Sequence, residues 1–361
     1  MRIDYIITGL EIGGAEYQVV TLLEKLKKKG YQVRVIYLKP PSTTVFIDRL
    51  AAADIPICSL NLVSYKNFPQ ALLRLRKELL RSHPDVIHSH MVHANLLTRL
   101  VRLLIPSLKI VCTAHSIYEG GKLRDWAYRL TNSLSQMNTT ISKAATHRFS
   151  NENVFPKNRI RTVPNGIDTE KFIPNLVKKH HDGPFRWLAV GRLVEQKDYP
   201  TLISAFCKIE NSILYIVGKG TLYDTLKLQV NHVGLNERVY FLGEYNNIEK
   251  LYCQVDGFVL SSKSEGYGLV VAEAMACELP VVVTDSGGPS EIIGSGDING
   301  LLVPIKNPDA LAQAMTKIES MSYLERLDMG RKARQRIKDK YSIERIVEQW
   351  EQLYVELKNN R

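Results

Sequence analysis

Short apolar runs alternate with amphipathic stretches along nearly the whole chain, and the alternation stops once and then begins again. In the first half, strand-like runs fall at 3–8, 31–38, 55–60, 85–88, 109–113 and 138–141. Between them lie segments with helical spacing at 15–29, 67–82, 92–105 and 123–135. Val19, Leu22, Leu23 and Leu26 share one face of the first of these, and Gly30 ends it. After residue 184 the cadence resumes, with strands at 185–190, 213–217, 239–242, 257–260, 280–284 and 300–303. Helical segments follow at 199–209, 222–233, 248–254, 269–277, 290–293 and 309–319. Strands that regularly alternate with helices pair in parallel, so each half predicts a doubly wound α/β sheet.

The break at 174–184 is polar, aperiodic and bracketed by Pro174 and Pro184, which predicts a linker. No carboxylate or thiol cluster accompanies its His180-His181 pair, so that pair reads as solvated loop rather than metal ligand. The division predicted is a first domain over 1–173 and a second over 185–341. At 361 residues the chain is too long for one ordinary core and suits two. Two long helices finish it, at about 323–338 and 342–358. The last carries Ile343, Ile346, Val347, Trp350, Leu353, Tyr354 and Leu357 at helical spacing, a stripe predicted to bury back against the first domain over about 342–361. Ligands of doubly wound sheets collect at the strand C-termini, so those edges, set face to face, predict a cleft between the domains.

Composition narrows the class. Hydrophobic residues at 45% and charged residues at 24% are ordinary for a soluble globular chain. Five scattered cysteines without a Cys-x-x-Cys predict reduced, mostly buried thiols and a cytosolic setting. Met1-Arg2-Ile3-Asp4 runs straight into a strand, so no leader is expected, and no uncharged apolar run reaches membrane-spanning length. The net charge of +11 is uneven: residues 1–180 hold 27 Lys and Arg against 13 Asp and Glu, the rest 21 against 24. A basic first half predicts contact with something anionic, a membrane face, a phosphorylated substrate or nucleic acid.

Four loops at predicted strand ends carry chemistry. Gly13-Gly14-Ala15-Glu16 opens the first helix but lacks Gly-x-Gly-x-x-Gly, which argues against a dinucleotide site. In Val190-Gly191-Arg192-Leu193-Val194-Glu195-Gln196-Lys197-Asp198 two cations follow a strand directly. The stretch Glu265-Gly266-Tyr267-Gly268-Leu269 turns into a helix that holds Glu273. Glycines and unpaired helix N–H groups there suit an anion, and the two carboxylates suit sugar or ribose hydroxyls. Arg192 and Lys197 opposite that turn suit a diphosphate. The fourth loop, Cys112-Thr113-Ala114-His115-Ser116, follows His88, His90 and His93 at a preceding strand end; its histidine suits a sugar hydroxyl or a proton transfer. No acid or thiol completes a metal set with these histidines, and the chain has no Asp-x-Asp, so no metal is expected.

Glu265-Gly-Tyr-Gly, Glu273-Ala-Met-Ala and Leu279-Pro280-Val-Val together resemble the Glu-x7-Glu signature of retaining glycosyltransferases of family 4. Gly191-Arg192 with Gln196-Lys197-Asp198 is similar to that family's diphosphate clamp. Gly13-Gly14-Ala15-Glu16, Val163-Pro164-Asn165-Gly166-Ile167-Asp168 and Gly287-Gly288-Pro289-Ser290-Glu291 extend the resemblance over nearly the whole chain. Tyr267 stands where the family usually has Phe, and Glu278 where it usually has Gly.

The resemblance implies the GT-B fold: two Rossmann-like doubly wound parallel-sheet domains about a central cleft, the first on the acceptor side and the second binding the donor. It implies that Arg192 and Lys197 hold the leaving nucleoside diphosphate and that Glu273 accepts from the ribose. Glu265 and the backbone of Gly266, Tyr267, Gly268 and Leu269 would hold the donor, His115 would lie beside the transferred sugar, and Gly13 and Gly14 would approach the phosphates. The activity implied is retaining, metal-independent hexosyl transfer from a nucleotide-sugar, UDP rather than GDP, with no cofactor.

The basic, leucine-rich stretches 71–77 and 96–104 predict contact with anionic lipid. With the resemblance they imply a cytoplasmic enzyme, peripheral on the inner membrane face, that extends a lipid-linked saccharide in bacterial surface-polysaccharide assembly. A GT-B sugar-nucleotide epimerase or phosphorylase is the nearest rival. A basic nucleic-acid-binding protein is the rival of another class, weakened by the lack of zinc-finger spacing, basic helix or aromatic RNA-binding strand.

Overall fold

The computed structural model describes residues 1–175, 183–245, 247–296 and 298–359. The His180-His181 pair and most of the expected linker lie outside the described residues. The chain forms two compact units, Met1–Gly166 with Ile343–Arg361, and Ile167–Ser342.

The first unit is built on β1 (Arg2–Ile7), β2 (Gln32–Tyr37), β3 (Ile57–Ser59), β4 (Val86–His90), β5 (Ile110–Ala114), β6 (Met137–Thr140) and β7 (Ile160–Thr162). They form one sheet of order β3-β2-β1-β4-β5-β6-β7, every pair parallel. Helices cover both faces, so β4 and β5 are buried at every residue and read as continuous runs rather than alternating ones. Three elements escape the sequence pattern. β7 is a three-residue edge strand, and helices Val45–Ala52 and Lys143–Asn151 each bury only two residues one turn apart, too few to show a period.

The terminal helix Ile343–Asn359 belongs to this first unit. It buries Ile343, Ile346, Val347, Trp350, Leu353, Tyr354 and Leu357 in the core that also holds Ile3, Tyr5, Val19, Leu23 and Val35. Its Tyr354 hydroxyl meets the Tyr5 hydroxyl and His88 Nδ1, the latter at 2.7 Å. Pairs from Lys25 to Glu344 and Lys29 to Glu351 fasten its outer face to the first helix, Gly14–Lys28.

The second unit holds β8 (Phe185–Val190), β9 (Ser212–Val217), β10 (Val239–Gly243), β11 (Gly257–Leu260), β12 (Val281–Thr284) and β13 (Leu301–Val303). Their order is β10-β9-β8-β11-β12-β13, again all parallel. Helix Tyr323–Tyr341 starts at a capping box made by Ser322 and Glu325. It packs on helix Leu269–Ala276 so closely that a Cβ on Gly330 would come within 2.1 Å of the Glu278 carbonyl oxygen. Glu278, the residue in place of the expected glycine, makes the turn anyway: it adopts φ +60°, the left-handed conformation that glycine takes without strain.

Both sheets reverse their strand order once, between β1 and β4 in the first and between β8 and β11 in the second. At such a switch point the loops leaving two neighbouring strands diverge to opposite faces and open a crevice at the strand C-termini. Among the described residues, no helix is long and apolar enough to cross a membrane.

Candidate active site

The switch point of the second sheet brings together two of the loops singled out above. One leaves β8 through Gly191, Arg192 and the short 3₁₀ turn Glu195–Lys197; the other leaves β11 through Ser261–Gly268. They are laced by their backbones: Lys263 N–H donates to the Gln196 carbonyl at 2.8 Å, and the Ser261 hydroxyl to that of Lys197 at 2.9 Å. Gln196 returns a side-chain bond to the Ser264 carbonyl at 2.7 Å. Lys197 Nζ thereby reaches Glu265 Oε1, which also accepts from the Ser262 hydroxyl at 2.7 Å. Both side chains are largely buried, so each charge is held in place by the other rather than by water. Arg192 is exposed and makes no ion pair among the described residues.

Glu265 is fixed from a third side. Its N–H donates to the Ser286 carbonyl at 2.7 Å, and its own carbonyl accepts from Gly288 N–H at 3.1 Å. That approach requires glycine, since a Cβ on Gly288 would lie 2.4 Å from the Tyr267 Cα. Gly268 follows at φ +94° and begins helix Leu269–Ala276 with no side-chain cap. The first N–H groups of that helix are left to an outside acceptor, which the helix dipole prefers to be an anion.

Glu273 stands one turn into this helix, 9% exposed, and meets the Tyr252 hydroxyl at 3.0 Å. Burial pushes its carboxyl up to about 7, with the Tyr252 hydrogen bond pulling the other way. Tyr267 does not present its ring to this edge. The side chain is buried edge-on to Tyr341, so only its backbone is available there.

The first unit builds a different edge. His88 and His90 lie on β4, whereas His93 stands on helix Val92–Val101, so the three do not share one strand. His88 is used internally, with Nδ1 on Tyr354 and Nε2 2.7 Å from the Thr113 hydroxyl. His115, just past β5, places Nε2 2.9 Å from His90 Nδ1, while its own Nδ1 is buried without a partner. Burial drives the His115 pKa down to about 4 and holds His90 well below the usual histidine range. Both rings are therefore neutral near pH 7, suited to hydrogen-bonding a hydroxyl and poorly suited to supplying a proton.

Sequence reasoning missed what holds His115. Glu119 accepts from its backbone N–H at 3.0 Å and from the Tyr128 hydroxyl at 2.5 Å. Asn95 donates to the Tyr128 oxygen at 3.0 Å and to the Thr113 carbonyl at 3.0 Å. Beneath lies Arg99, fully buried, its guanidinium 4.7 Å from the Tyr128 ring centre and bonded to the Thr131 hydroxyl and the Asn138 amide oxygen. Burial lifts the Glu119 carboxyl to about 7. Only the four-residue step from His115 to Glu119 is visible in the sequence, and nothing there marks it. Gly13 and Gly14 open the first helix at the end of β1, where a Cβ on Gly13 would strike the Glu16 carboxylate.

Two roomier cavities lie elsewhere. One of about 390 Å³ in the second unit is lined by Phe185, Asp256 and Pro280, and one of about 530 Å³ in the first by Arg2, Gln32 and Val33. These residues begin or precede their strands, so both cavities open at the edge where a parallel sheet offers no ligand crevice.

Residues 12–171 match the family model described as Glycosyltransferase Family 4, and residues 174–336 the model described as Glycosyl transferases group 1. The chain is 25% identical to the N-acetyl-alpha-D-glucosaminyl L-malate synthase of Bacillus anthracis, over 96% of this chain and 94% of that protein. It is also 25% identical to the UDP-Gal:alpha-D-GlcNAc-diphosphoundecaprenol alpha-1,3-galactosyltransferase of Escherichia coli, over 97% and 95%. Among solved structures, Anabaena HepE in complex with UDP superposes with a TM-score of 0.86 at 19% identity, covering 99% of this chain and 100% of that one. Two family matches laid end to end over two doubly wound units, each with the expected motifs at its strand C-termini, make this chain a member of the family 4 glycosyltransferases, of the GT-B fold.

Proposed function

We propose that the protein is a retaining, metal-independent hexosyltransferase that moves a sugar from a UDP-sugar to a hydroxyl of a lipid-linked saccharide in bacterial surface-polysaccharide assembly. The observation that carries this reading is the Lys197–Glu265 pair at the switch point, beside the uncapped helix start at Gly268. As the glycosidic bond breaks, negative charge grows on the departing diphosphate. Lys197, held against Glu265, and the N–H groups at Gly266–Leu269 are placed to meet it, and the exposed Arg192 adds a second cation; preorganised groups of this kind supply much of the catalysis in charge-developing steps. Glu265 takes sugar hydroxyls, Glu273 takes the ribose, and His115 accepts or donates a hydrogen bond as a neutral ring. Gly13 and Gly14 would approach the phosphates through their backbone at the start of the first helix, with the Glu16 carboxylate beside Gly13. No covalent nucleophile is assigned: the leaving phosphate takes the acceptor proton on the same face, which leaves the anomeric configuration unchanged.

UDP is supported by the UDP complex of the structural neighbour, and a lipid-linked acceptor by the diphosphoundecaprenol in the E. coli relative's name. The B. anthracis relative's name specifies malate, which favours a second reading in which the acceptor is a small soluble acid drawn by the basic first unit. The test is UDP release from UDP-sugars with a lipid-linked saccharide or with malate, in the presence of EDTA. Transfer to the lipid-linked saccharide with an α-configured NMR signal from an α-donor is expected. Loss of turnover in EDTA, inverted product, or transfer to malate alone would each remove the corresponding part. In the peripheral reading, the protein sediments with anionic vesicles at moderate salt.

A further inference from the structure

Helix Lys122–Thr131 is turned the wrong way for an ordinary surface helix. Its inner face buries Asp125 and Tyr128, while Leu123, Trp126 and Leu130 point outward, 78%, 56% and 60% exposed. Asp125 is neutralised by a bidentate pair with Arg148, and Tyr128 by the Glu119 network, so the polar inner face is fully accounted for. The outward stripe is not. Together with Leu96 and Leu100 of helix Val92–Val101, and with Leu62 and Phe68, Trp126 and Leu130 line an apolar groove of about 250 Å³. Contiguous exposed apolar surface of this kind marks a binding face rather than a solubilising one.

The groove has a direction. His93, in the first turn of its helix, lines the end nearest the C-termini of β4 and β5, the edge that carries His115, whereas Leu100 lies near the helix's far end. Two cations stand toward that near end: Lys39 N–H donates to the carbonyl of Thr8, whose hydroxyl accepts from Ala94 N–H next to His93, and Arg124 donates to the Glu119 carbonyl at 2.7 Å, four residues past His115. Burial, then their charges, hold His93 below its usual pKa. Across residues 61–135 there are 11 Lys and Arg against 4 Asp and Glu, and two of those acids, Glu119 and Asp125, are turned inward. An apolar trough with cations at one end is complementary to a molecule with a hydrocarbon tail and an anionic head.

We infer that this groove holds the hydrocarbon chain of a lipid-diphosphate acceptor, with the diphosphate at the His93 end beside Arg124 and Lys39. The attached saccharide then lies at the His115 edge and the chain runs away along helix Val92–Val101. This rests on the lipid-linked reading above and adds to it the place where the lipid is recognised. A bilayer surface would meet the outward leucines as well, but it neither needs a groove nor sets cations at one end of it.

The probe is farnesyl diphosphate, used below its aggregation limit, with tryptophan fluorescence as the readout. Of the three tryptophans, Trp187 and Trp350 are buried and Trp126 alone is exposed. The expected result is a saturable blue shift with farnesyl diphosphate, a weaker one with farnesol, and none with inorganic diphosphate. The shift vanishes in Trp126→Phe. Leu130→Gln, an exposed position whose folding is checked by circular dichroism, weakens the binding about tenfold. It raises the KM of a lipid-linked acceptor by a similar factor and leaves the donor KM unchanged. A shift that persists in Trp126→Phe, or an absent one, overturns the groove. So does a Leu130→Gln enzyme that loses binding to phosphatidylglycerol vesicles yet keeps its affinity for farnesyl diphosphate, because the stripe would then be a bilayer contact. The titration needs no sugar transfer, so farnesyl diphosphate binding without any transferase activity would sink the proposed function and leave the groove standing.

Discussion

The two units share a plan and differ in what they place on it. Each is a parallel sheet with one reversal of strand order, and each sets a carboxyl against a buried tyrosine's hydroxyl, the half-buried Glu119 with Tyr128 in the first and the buried Glu273 with Tyr252 in the second. The edges diverge. The second unit carries 21 Lys and Arg against 22 Asp and Glu, yet concentrates charge at its switch point through Lys197 and Glu265. The first carries 27 against 15, yet the histidines at its edge are buried and neutral, with its buried arginine held by hydrogen bonds and aromatic faces. Net charge thus does not show which edge does ionic chemistry. Placement does: one edge holds a buried ion pair and the other neutral histidines, which in the proposed function meet a developing charge and hydrogen-bond hydroxyls, respectively.

The comparison can be broken most forcefully at the chain's end. Trp350→Ala empties a site between His88 and Tyr354 in the first unit and is expected to destabilise it by about 3–5 kcal/mol. Hydrogen exchange followed by mass spectrometry should show faster exchange in β1 and β4 with β8 and β11 unchanged; equal acceleration of both sheets would mean that the units are not separately stabilised. Next in size is Lys197→Ala, expected to lower kcat on the order of 10²–10³ with unchanged circular dichroism. A near-normal kcat would leave the second edge without its assigned role.

pH separates the units in sign. Glu273 titrates at about 7 when folded and near its ordinary value of 4.5 when unfolded, so the folded unit keeps a proton that the unfolded chain releases. Stability from this group is full below about 4.5, falls as pH rises, and is gone above about 7. In the first unit Glu119 has the same slope, but His88, His90 and His115 oppose it. Those histidines bind protons more readily unfolded, so stability rises as pH climbs toward 6.5, for His115 from about 4. With these three histidines and His93 against one carboxyl, the first unit is expected to gain stability between pH 5 and 7 while the second loses some, the loss on the order of 1–3 kcal/mol. Melts of variants that retain only Trp350 or only Trp187 measure this directly, and parallel slopes would contradict it. The smallest effect is at His115. His115→Ala should lower kcat about tenfold, the scale of one or two hydrogen bonds. The wild-type rate should show no inflection near pH 6.5, and an inflection there that His115→Ala abolishes would make the ring a proton carrier after all.

Much of this was legible in the residues. The strand–helix cadence identified both sheets because buried parallel strands are continuous apolar runs, and the terminal stripe from Ile343 to Leu357 announced a helix that needed a core. Gly191-Arg192, Lys197 and the Glu265–Glu273 stretch were readable because a loop that must admit an anion needs glycine and cations close together in sequence. The short elements Val45–Ala52, Lys143–Asn151 and β7 were not, since two buried side chains make no period.

What tertiary structure alone decided is who meets whom. Sequence put Lys197 and Glu265 in separate loops 68 residues apart; the order β8-β11 made them a pair. It offered His88, His90 and His93 as a set, and the fold spent His88 on Tyr354, paired His90 with His115 and placed His93 at the groove. Local sequence determines strand, helix and turn because those depend on neighbours within a few residues. Protonation and partnership depend on burial by residues far along the chain, and that is fixed only when the sheets close.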